Sequence, residues 1–170
     1  MSWTKTIKGF WKLNFDGASR GNPGPAAYGW ILRDCLGSPN ALGGGCIGRN
    51  TSDLAEAEGL LRGINFCLHH RPPALCVKGD SQTVINLMKD GKTKNGFLRP
   101  KIEEVREFRR RINCPVEFQQ INRSANKSAD WLANWALDNK LAKDLTVYED
   151  EIKKREDFRE LLDLINEEAS

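Results

Sequence analysis

The chain has 170 residues, of which 39% are hydrophobic and 29% are charged, and its formal net charge is +3. This length and composition suit one domain with a real core and exclude a wholly disordered chain. No apolar run approaches the roughly 18 residues that span a bilayer, and MSWTKTIKGF lacks the apolar centre of a signal peptide. Five cysteines without a C-x-x-C pair are expected to be reduced thiols, so we expect an intracellular protein of the nucleus or cytoplasm, with no membrane contact.

Three strands are predicted at the start of the chain. They cover residues 9–16, 26–33 and 40–48, and turn residues separate them, which is the pattern of an antiparallel meander. From residue 53 to residue 69 the apolar positions recur every three or four residues, which predicts an amphipathic helix.

The second half of the chain alternates strands and helices. The predicted elements are a strand at 74–79, helices from Ser81 and from Pro100, a strand at 115–121, a helix over 124–139 and a charged amphipathic helix over 148–167. Strands that are joined by helical crossovers run parallel. We therefore predict an α/β fold with a five-stranded mixed sheet, three antiparallel strands then two parallel, flanked by helices and followed by a C-terminal amphipathic helix.

The C-terminal segment differs in charge from the rest of the chain. Residues 141–170 carry a net charge of −5, whereas residues 1–140 carry +8. A basic body favours a polyanionic partner, although solubility alone explains such an excess equally well. The preceding helix carries Trp131 and Trp135, four positions apart, and the tail helix carries apolar residues at 152, 158, 161, 162 and 165. We therefore expect the tail helix to fold back over the tryptophans of its own domain, with a contact to a second copy as the alternative.

Two acids follow predicted strands and a third begins a helix. Asp16 ends the first strand and Asp80 follows the fourth, and ligands gather at the carboxyl ends of strands in open α/β sheets. Glu56 heads a helical row of apolar or small residues. Glu58 lies four residues before Arg62, so this pair is expected to face water.

Asp130 is predicted to lie over buried surface as well, because Ala133 and Leu137 follow it on one helix face. Each acid taken alone fits a helix cap or a surface charge. Four carboxylates against apolar surroundings would repel one another unless cations compensate them. Hard divalent ions that prefer oxygen ligands, Mg²⁺ or Mn²⁺, are the natural compensation if the fold brings the four acids together.

Four blocks of the sequence occur in the order of one known family. They are NFDGASRGNPGPAAYGWILRD, GRNTSDLAEAEGLLRGI, VKGDSQTVINLM and INRSANKSADWLANWAL. Together they resemble a type 1 ribonuclease H domain, closest to the reverse-transcriptase-like ribonuclease H domains of plant retroelements. The resemblance implies a ribonuclease H-like catalytic domain over residues 1–140, followed by an acidic helical extension over 141–170.

The resemblance implies an endonuclease that hydrolyses the RNA strand of RNA/DNA hybrids with two bound Mg²⁺ ions, or Mn²⁺ as an alternative. It assigns both catalysis and metal binding to Asp16, Glu56, Asp80 and Asp130. Asp16 would bridge two ions about 3.5–4 Å apart. Asp130 would hold the ion that activates water, and the other two acids would hold the ion at the leaving 3′ oxygen.

The resemblance also implies six substrate contacts of two kinds. Approach to the RNA strand and readout of its 2′-hydroxyls in the minor groove would involve Gly17, Asn22 and Gln82. A pocket for a phosphate of the DNA strand would involve Arg49, Thr51 and Asn95. Because phosphate contacts carry no sequence information, we expect little sequence specificity and a strong loss of affinity with salt.

Two departures from the family pattern weaken the expected turnover and binding. Gln120 stands where many members carry a mobile histidine that helps the product leave, and the loop over 89–99 lacks a basic, tryptophan-bearing protrusion. The alternative function is therefore a catalytically weak module that binds RNA/DNA hybrids or double-stranded nucleic acid. A regulatory module that acts through its acidic tail is a third possibility.

Overall fold

A six-stranded mixed sheet with helices on both faces forms the computed structural model, which describes residues 9–141 and 144–169. The strands are β1 (Trp11–Ser19), β2 (Gly24–Arg33), β3 (Pro39–Asn50), β4 (Leu75–Gly79), β5 (Val116–Gln120) and β6 (Leu145–Tyr148). The helices are α1 (Ser52–His70), α2 (Gln82–Asp90), α3 (Leu98–Arg111), α4 (Lys127–Asp138), α5 (Glu149–Lys154) and α6 (Arg159–Ala169). Within these described ranges, no helix is both long and apolar enough to cross a membrane.

The strand order places the two strands that carry aspartates side by side. The sheet runs β5-β4-β1-β2-β3-β6, with β1, β2 and β3 antiparallel and with β4 and β5 parallel to β1. Asn14 of β1 lies opposite Lys78 of β4. The predicted meander followed by two parallel strands, with helices on both faces, is confirmed.

The predicted number of five strands is wrong by one. β6 pairs antiparallel with β3, with Ala41 opposite Tyr148 and Gly44 opposite Leu145. Its four residues, LTVY, suit a strand by composition, but they are too few for an alternating pattern to show in the sequence. Through β6 the C-terminal segment joins the same sheet as the rest of the chain.

Two apolar layers lie on opposite faces of the sheet. In β2, Trp30 and Leu32 belong to the layer under α1, α2 and α3, whereas Ile31 belongs to the layer under α4 and α6. This alternation follows the pleat of the strand, whose successive side chains point to opposite faces. Both layers consist of buried apolar side chains, so the sheet is packed on both of its faces.

The C-terminal segment packs against the tryptophans of α4, as expected. Phe158 lies with its ring centroid 5.0 Å from that of Trp135 and 6.1 Å from that of Trp131. The single helix that the sequence predicts is divided at Arg155, which is extended and lies over the Phe158 ring. The buried residues Ile152 and Phe158 are six positions apart, a spacing that one continuous helix cannot place on one face.

Candidate active site

Three of the four predicted acids meet at one edge of the sheet. Asp16 lies in β1, Asp80 follows the last residue of β4, and Glu56 lies near the N-terminus of α1. Because Asn14 pairs with Lys78 in parallel register, the two aspartates that lie two positions further on are neighbours. Carboxylate oxygens of the three acids lie within 4.8 Å of one another. We call these three residues the acid cluster.

Gly17 allows α1 to lie close enough to β1 for the acid cluster to form. A Cβ atom at Gly17 would lie 2.3 Å from the backbone nitrogen of Glu56 and 2.4 Å from the carbonyl carbon of Ala55. Atoms do not approach so closely, so a larger residue would push the helix away. The glycine after Asp16 is therefore required for Glu56 to reach it.

Burial and mutual repulsion raise the pKa values in the acid cluster. Loss of water contact is the main cause that raises the pKa of Asp16 to about 8, and the charge of Asp80 adds to it. Burial, followed by the charges of both aspartates, raises the pKa of Glu56 to about 9. The pKa of Asp80 is also raised, first by burial and then by the charge of Asp130, while Arg123 acts in the opposite direction.

The acid cluster offers the donor set of a divalent cation site. Oε2 of Glu56 and Oδ2 of Asp80 are buried without a hydrogen-bond partner. Buried carboxylate oxygens are normally paired, and an orphaned pair beside a third carboxylate needs a positive charge. Hard cations such as Mg²⁺ and Mn²⁺ take oxygen ligands of this kind. The residues that are present therefore fit a divalent metal ion.

Asp130 lies at the solvent side of the site and not in a buried position. It is exposed and is not part of the group within 4.8 Å. Its charge still raises the pKa of Asp16 and of Asp80, so it acts on the same site. The prediction of a buried position is wrong because the fully buried stripe of α4 runs through Ala129 and Ala133, and Asp130 lies beside that stripe.

Asn126 is a site residue that the sequence reasoning missed. It is fully buried, its Nδ2 donates to the carbonyl oxygen of Phe15 at 3.0 Å, and its Oδ1 accepts from Nδ2 of Asn14 at 3.0 Å. A side-chain hydrogen bond from Asn126 also favours the charged form of Asp80. The available signal was its place in the last sequence block, four residues before Asp130.

Glu58 is buried, and the prediction that it faces water is wrong. The predicted pair with Arg62 is present, at 2.6 Å, but a second cation, Lys101 of α3, lies 2.7 Å from the other carboxylate oxygen. Burial raises the pKa of Glu58, and the hydrogen bonds from Lys101 and Arg62 outweigh it, so the pKa is lowered. The helical spacing could not reveal Lys101, because it comes from another helix.

Three predicted substrate contacts already have structural partners. Oδ1 of Asn95 accepts from the backbone N–H groups of Phe97 and Leu98, at 2.9 and 3.1 Å, where α3 begins. Oγ1 of Thr51 accepts from the backbone N–H of Leu54 at 3.2 Å and caps α1. Oδ1 of Asn22 accepts from the backbone N–H of Ser52 at 3.1 Å. The turn between β1 and β2 is thereby fixed against the start of the helix that carries Glu56.

The other predicted contacts lie on the surface. Arg49 at the end of β3 and Gln82 at the start of α2 are exposed, as is Asn95 before α3, and their contact with nucleic acid stays a prediction. Gln120 is exposed at the end of β5, and its Nε2 lies 3.5 Å from the carbonyl oxygen of Asp80. The position of the absent histidine therefore borders the acid cluster.

The order of the strands and the acids at the sheet edge agree with a known protein family. A family model described as reverse transcriptase-like matches residues 14–136. The chain belongs to this family. The predicted ribonuclease H resemblance is confirmed with it, since the relatives of this reverse transcriptase-like domain carry that name.

Two curated relatives are longer than the matched part of this chain. A protein of Arabidopsis thaliana named as a ribonuclease H protein is 34% identical over 140 residues, which are 81% of this chain and 22% of that protein. Ribonuclease HI of Halobacterium salinarum is 38% identical over 126 residues, which are 74% of this chain and 63% of that protein. The chain thus spans about a fifth of the first relative and under two thirds of the second.

Solved structures share the fold over nearly their whole length. RNase H1 of Halobacterium salinarum superimposes with a TM-score of 0.72 at 37% identity, over 77% of this chain and 99% of that chain. A second structure, LC11-RNase H1 in complex with an RNA/DNA hybrid, gives a TM-score of 0.71 at 28% identity, over 76% of this chain and 97% of that chain. The predicted ribonuclease H-like fold is confirmed.

Proposed function

We propose that the chain is a metal-dependent endonuclease that hydrolyses the RNA strand of RNA/DNA hybrids. The observation that carries the proposal is the acid cluster, whose three carboxylates lie within 4.8 Å of one another and include two orphaned buried oxygens. In a protein that only binds nucleic acid, carboxylates beside the phosphates would weaken binding, because like charges repel. The names of the relatives, and the hybrid bound to LC11-RNase H1, support the choice of substrate.

Asp16, Glu56 and Asp80 would hold two Mg²⁺ or Mn²⁺ ions, and Asp130 would complete the ligands on the solvent side. Bound ions of this kind stabilise negative charge on the phosphate and supply an activated water. The protein keeps the ligands in place. The backbone N–H of Gly17 donates to Oδ1 of Asp16 at 2.8 Å, and a side-chain hydrogen bond from Asn126 favours the charged form of Asp80.

Groups around the acid cluster would orient the hybrid. Arg123 lies close enough to lower the pKa of Asp16, and it is exposed, so it is available to a phosphate of the substrate. We propose readout of 2′-hydroxyls by Asn22 and Gln82, near the backbone at Gly17. This would give selection of RNA over DNA with little sequence specificity.

The proposal extends to the organisation and setting of the chain. Residues 1–140 would form the catalytic domain and residues 141–170 the acidic extension, which packs on that domain. A nuclear or cytoplasmic setting agrees with the five cysteines, all of which are free thiols.

The second candidate is a catalytically weak module that binds hybrids or double-stranded nucleic acid. Two observations favour it. Gln120 replaces the histidine at the edge of the site, and Asp130 is exposed instead of packed with the other acids. In this case the fold and the basic body would be kept for binding, while cleavage would be slow or absent.

A cleavage assay separates the two candidates. A hybrid labelled on its RNA strand is incubated with the wild type in Mg²⁺, in Mn²⁺ and in chelator, and in parallel with Asp80→Asn and with Asp163→Asn, an exposed acid on α6. The endonuclease requires cleavage in at least one metal, none in chelator, none with Asp80→Asn, and normal rates with Asp163→Asn. Hybrid binding without cleavage by the pure wild type in both metals would reject the enzyme and support the binding module.

A further inference from the structure

A buried ion pair links the C-terminal helix to the helix that carries Asp130. The carboxylate of Glu168 in α6 accepts hydrogen bonds from the backbone N–H of Ser128, at 2.9 Å, and from its hydroxyl. The same carboxylate lies 3.6 Å from Nη1 of Arg33, and the side chains of Glu168 and Arg33 are only 9% and 3% exposed. Charged groups are rarely buried to this degree unless they are paired.

Glu168 takes the place of a missing cap on α4. The residue at the N-cap position is Asn126, whose side chain makes no capping hydrogen bond because it is engaged with β1. The first N–H groups of a helix need acceptors from outside the helix, and a negative charge there is favourable. Glu168 provides both the acceptor and the charge, from a helix about 40 residues further along the chain.

The same ion pair is continuous with the backbone of the acid cluster. Nη2 of Arg33 donates to Oδ1 of Asn14 at 2.7 Å, and Asn14 donates to Asn126 at 3.0 Å. Asn126 in turn donates to the carbonyl oxygen of Phe15, the residue before Asp16. One ion pair and three successive hydrogen bonds therefore connect Glu168 of α6 to the backbone of Phe15, the residue before Asp16.

The placement of Asp130 depends on the placement of α4. Its carboxylate accepts a hydrogen bond from Nδ2 of Asn134 on the same helix, at 3.2 Å. This bond sets the side chain relative to the helix and not relative to the acid cluster. Ser128 is two residues before Asp130 in the same first turn, so a contact that fixes Ser128 fixes the base of Asp130 as well.

We propose that Glu168 is a positioning residue, which holds the first turn of α4, and with it Asp130, in register with the acid cluster. Glu168 lies outside residues 14–136, the part that the family model covers, so membership of the family does not assign it this role. Its effect on catalysis rests on the proposed function. Its effect on the helix does not.

Amide hydrogen exchange tests the effect on the helix without any activity. In the wild type the Ser128 amide is expected to be protected, because its acceptor is a buried carboxylate. In Glu168→Ala its exchange rate should rise about 100-fold, while the amides of β1 change less than about twofold. Glu168→Gln keeps an acceptor and should restore most of this protection, and Asp163→Asn, an exposed change on the same helix, should leave it unaltered.

A double variant keeps the test valid if Glu168→Ala alone is too unstable. Combining it with Arg33→Met removes the buried positive charge, which would otherwise lack a negatively charged partner. The Ser128 amide should still exchange about 100-fold faster than in the wild type, since the acceptor is gone. A Ser128 amide that is unprotected in the wild type, or equally protected in the folded double variant, would overturn the proposal.

Steady-state kinetics on a labelled hybrid test the catalytic consequence. Glu168→Ala relative to the wild type, or the double variant relative to Arg33→Met alone, should lower kcat about tenfold with KM changed less than about twofold, because ground-state binding does not require Asp130. Glu168→Gln should recover most of the loss. An unchanged kcat in a variant whose Ser128 amide has lost protection would overturn the catalytic role. A wild type that cleaves nothing would refute the proposed function, and the exchange data would then decide on Glu168 alone.

Discussion

Two glutamates of α1 stand two residues apart in opposite electrostatic surroundings. Glu58 is buried between Arg62 and Lys101, and these cations lower its pKa. Glu56 has a buried, orphaned oxygen beside two aspartates, and its pKa is raised to about 9. A glutamate that lies between cations, as Glu58 does, forms ion pairs within the protein. A glutamate that lies beside other carboxylates, as Glu56 does, is suited to binding a cation. Glu56 has a place for a cation that the neighbouring acids do not supply, which agrees with the proposed metal site.

The largest difference between the two regions should appear in activity. Asp80→Asn removes a ligand from the acid cluster, and we expect the rate of hybrid cleavage to fall at least about 10³-fold. Glu58→Gln, in the cation-paired region, should change the rate per folded molecule less than about twofold. Initial rates with a labelled hybrid in Mg²⁺ measure both, and equal losses in the two variants would contradict the distinction.

The pH dependence of stability should separate the regions next. The pKa values of Asp16 and Glu56 are raised to about 8 and about 9, so between roughly pH 4 and pH 9 the unfolded chain binds fewer protons than the folded chain. Without metal, the free energy of unfolding should therefore fall as the pH rises through this window.

Urea unfolding in chelator at pH 5, 7 and 9 measures this slope. Saturating Mg²⁺ should recover about 2–3 kcal/mol at pH 9 and much less at pH 5, because only the ionised cluster binds it. Asp16→Asn should flatten the slope and remove the response to Mg²⁺. If the free energy of unfolding of the wild type rises with pH in chelator, the carboxylates of the acid cluster do not repel one another in the folded protein.

Substitutions of the two glutamates should change stability in opposite directions. In chelator at pH 8, Glu56→Gln should raise the free energy of unfolding by about 1 kcal/mol, because the wild type must take up a proton at Glu56 on folding at this pH, whereas glutamine is neutral in both states. Glu58→Gln should lower it by about 1–2 kcal/mol, a value reduced because Arg62 is 45% exposed and Lys101 is 29% exposed. Urea unfolding of both variants shows whether each change raises or lowers the free energy of unfolding. Similar decreases in both variants would refute the difference between the two sites.

The smallest effect is expected from substitution of Lys101, one of the two cations that pair with Glu58. Lys101→Met leaves Glu58 paired with Arg62, so the cost should be about 0.5 kcal/mol with unchanged cleavage. Combined with Glu58→Gln, the loss should be smaller than the sum of the two single losses, since both changes remove the same ion pair. A fully additive double variant in urea unfolding would mean that Lys101 and Glu58 do not interact.

Local patterns were sufficient to predict the centre of the site. The position of Asp80 after a strand, and of Asp16 near the end of another, implied that they meet once the strands are parallel neighbours, which they are. The helical row below Glu56 gave its direction correctly. These predictions depend only on the periods of strands and helices.

Contacts between distant elements could not be predicted in the same way. A helical period shows which residues share a face, but not what covers that face, so Lys101 beside Glu58 was missed. Asp130 was wrongly placed because its spacing to two apolar residues did not show where the centre of the buried stripe lies. Strand β6 is too short for a pattern, and Arg33 and Glu168 become partners only when α6 folds over α4.

Metal binding by the acid cluster is tested most directly by titrating Mn²⁺ into the protein and following free Mn²⁺ by electron paramagnetic resonance. The wild type and Glu58→Gln should bind Mn²⁺ with similar affinity, whereas Asp80→Asn should lose at least about tenfold in affinity at pH 8. Absence of binding in the wild type, or equal binding by Asp80→Asn, would contradict the assignment of the acid cluster as a cation site.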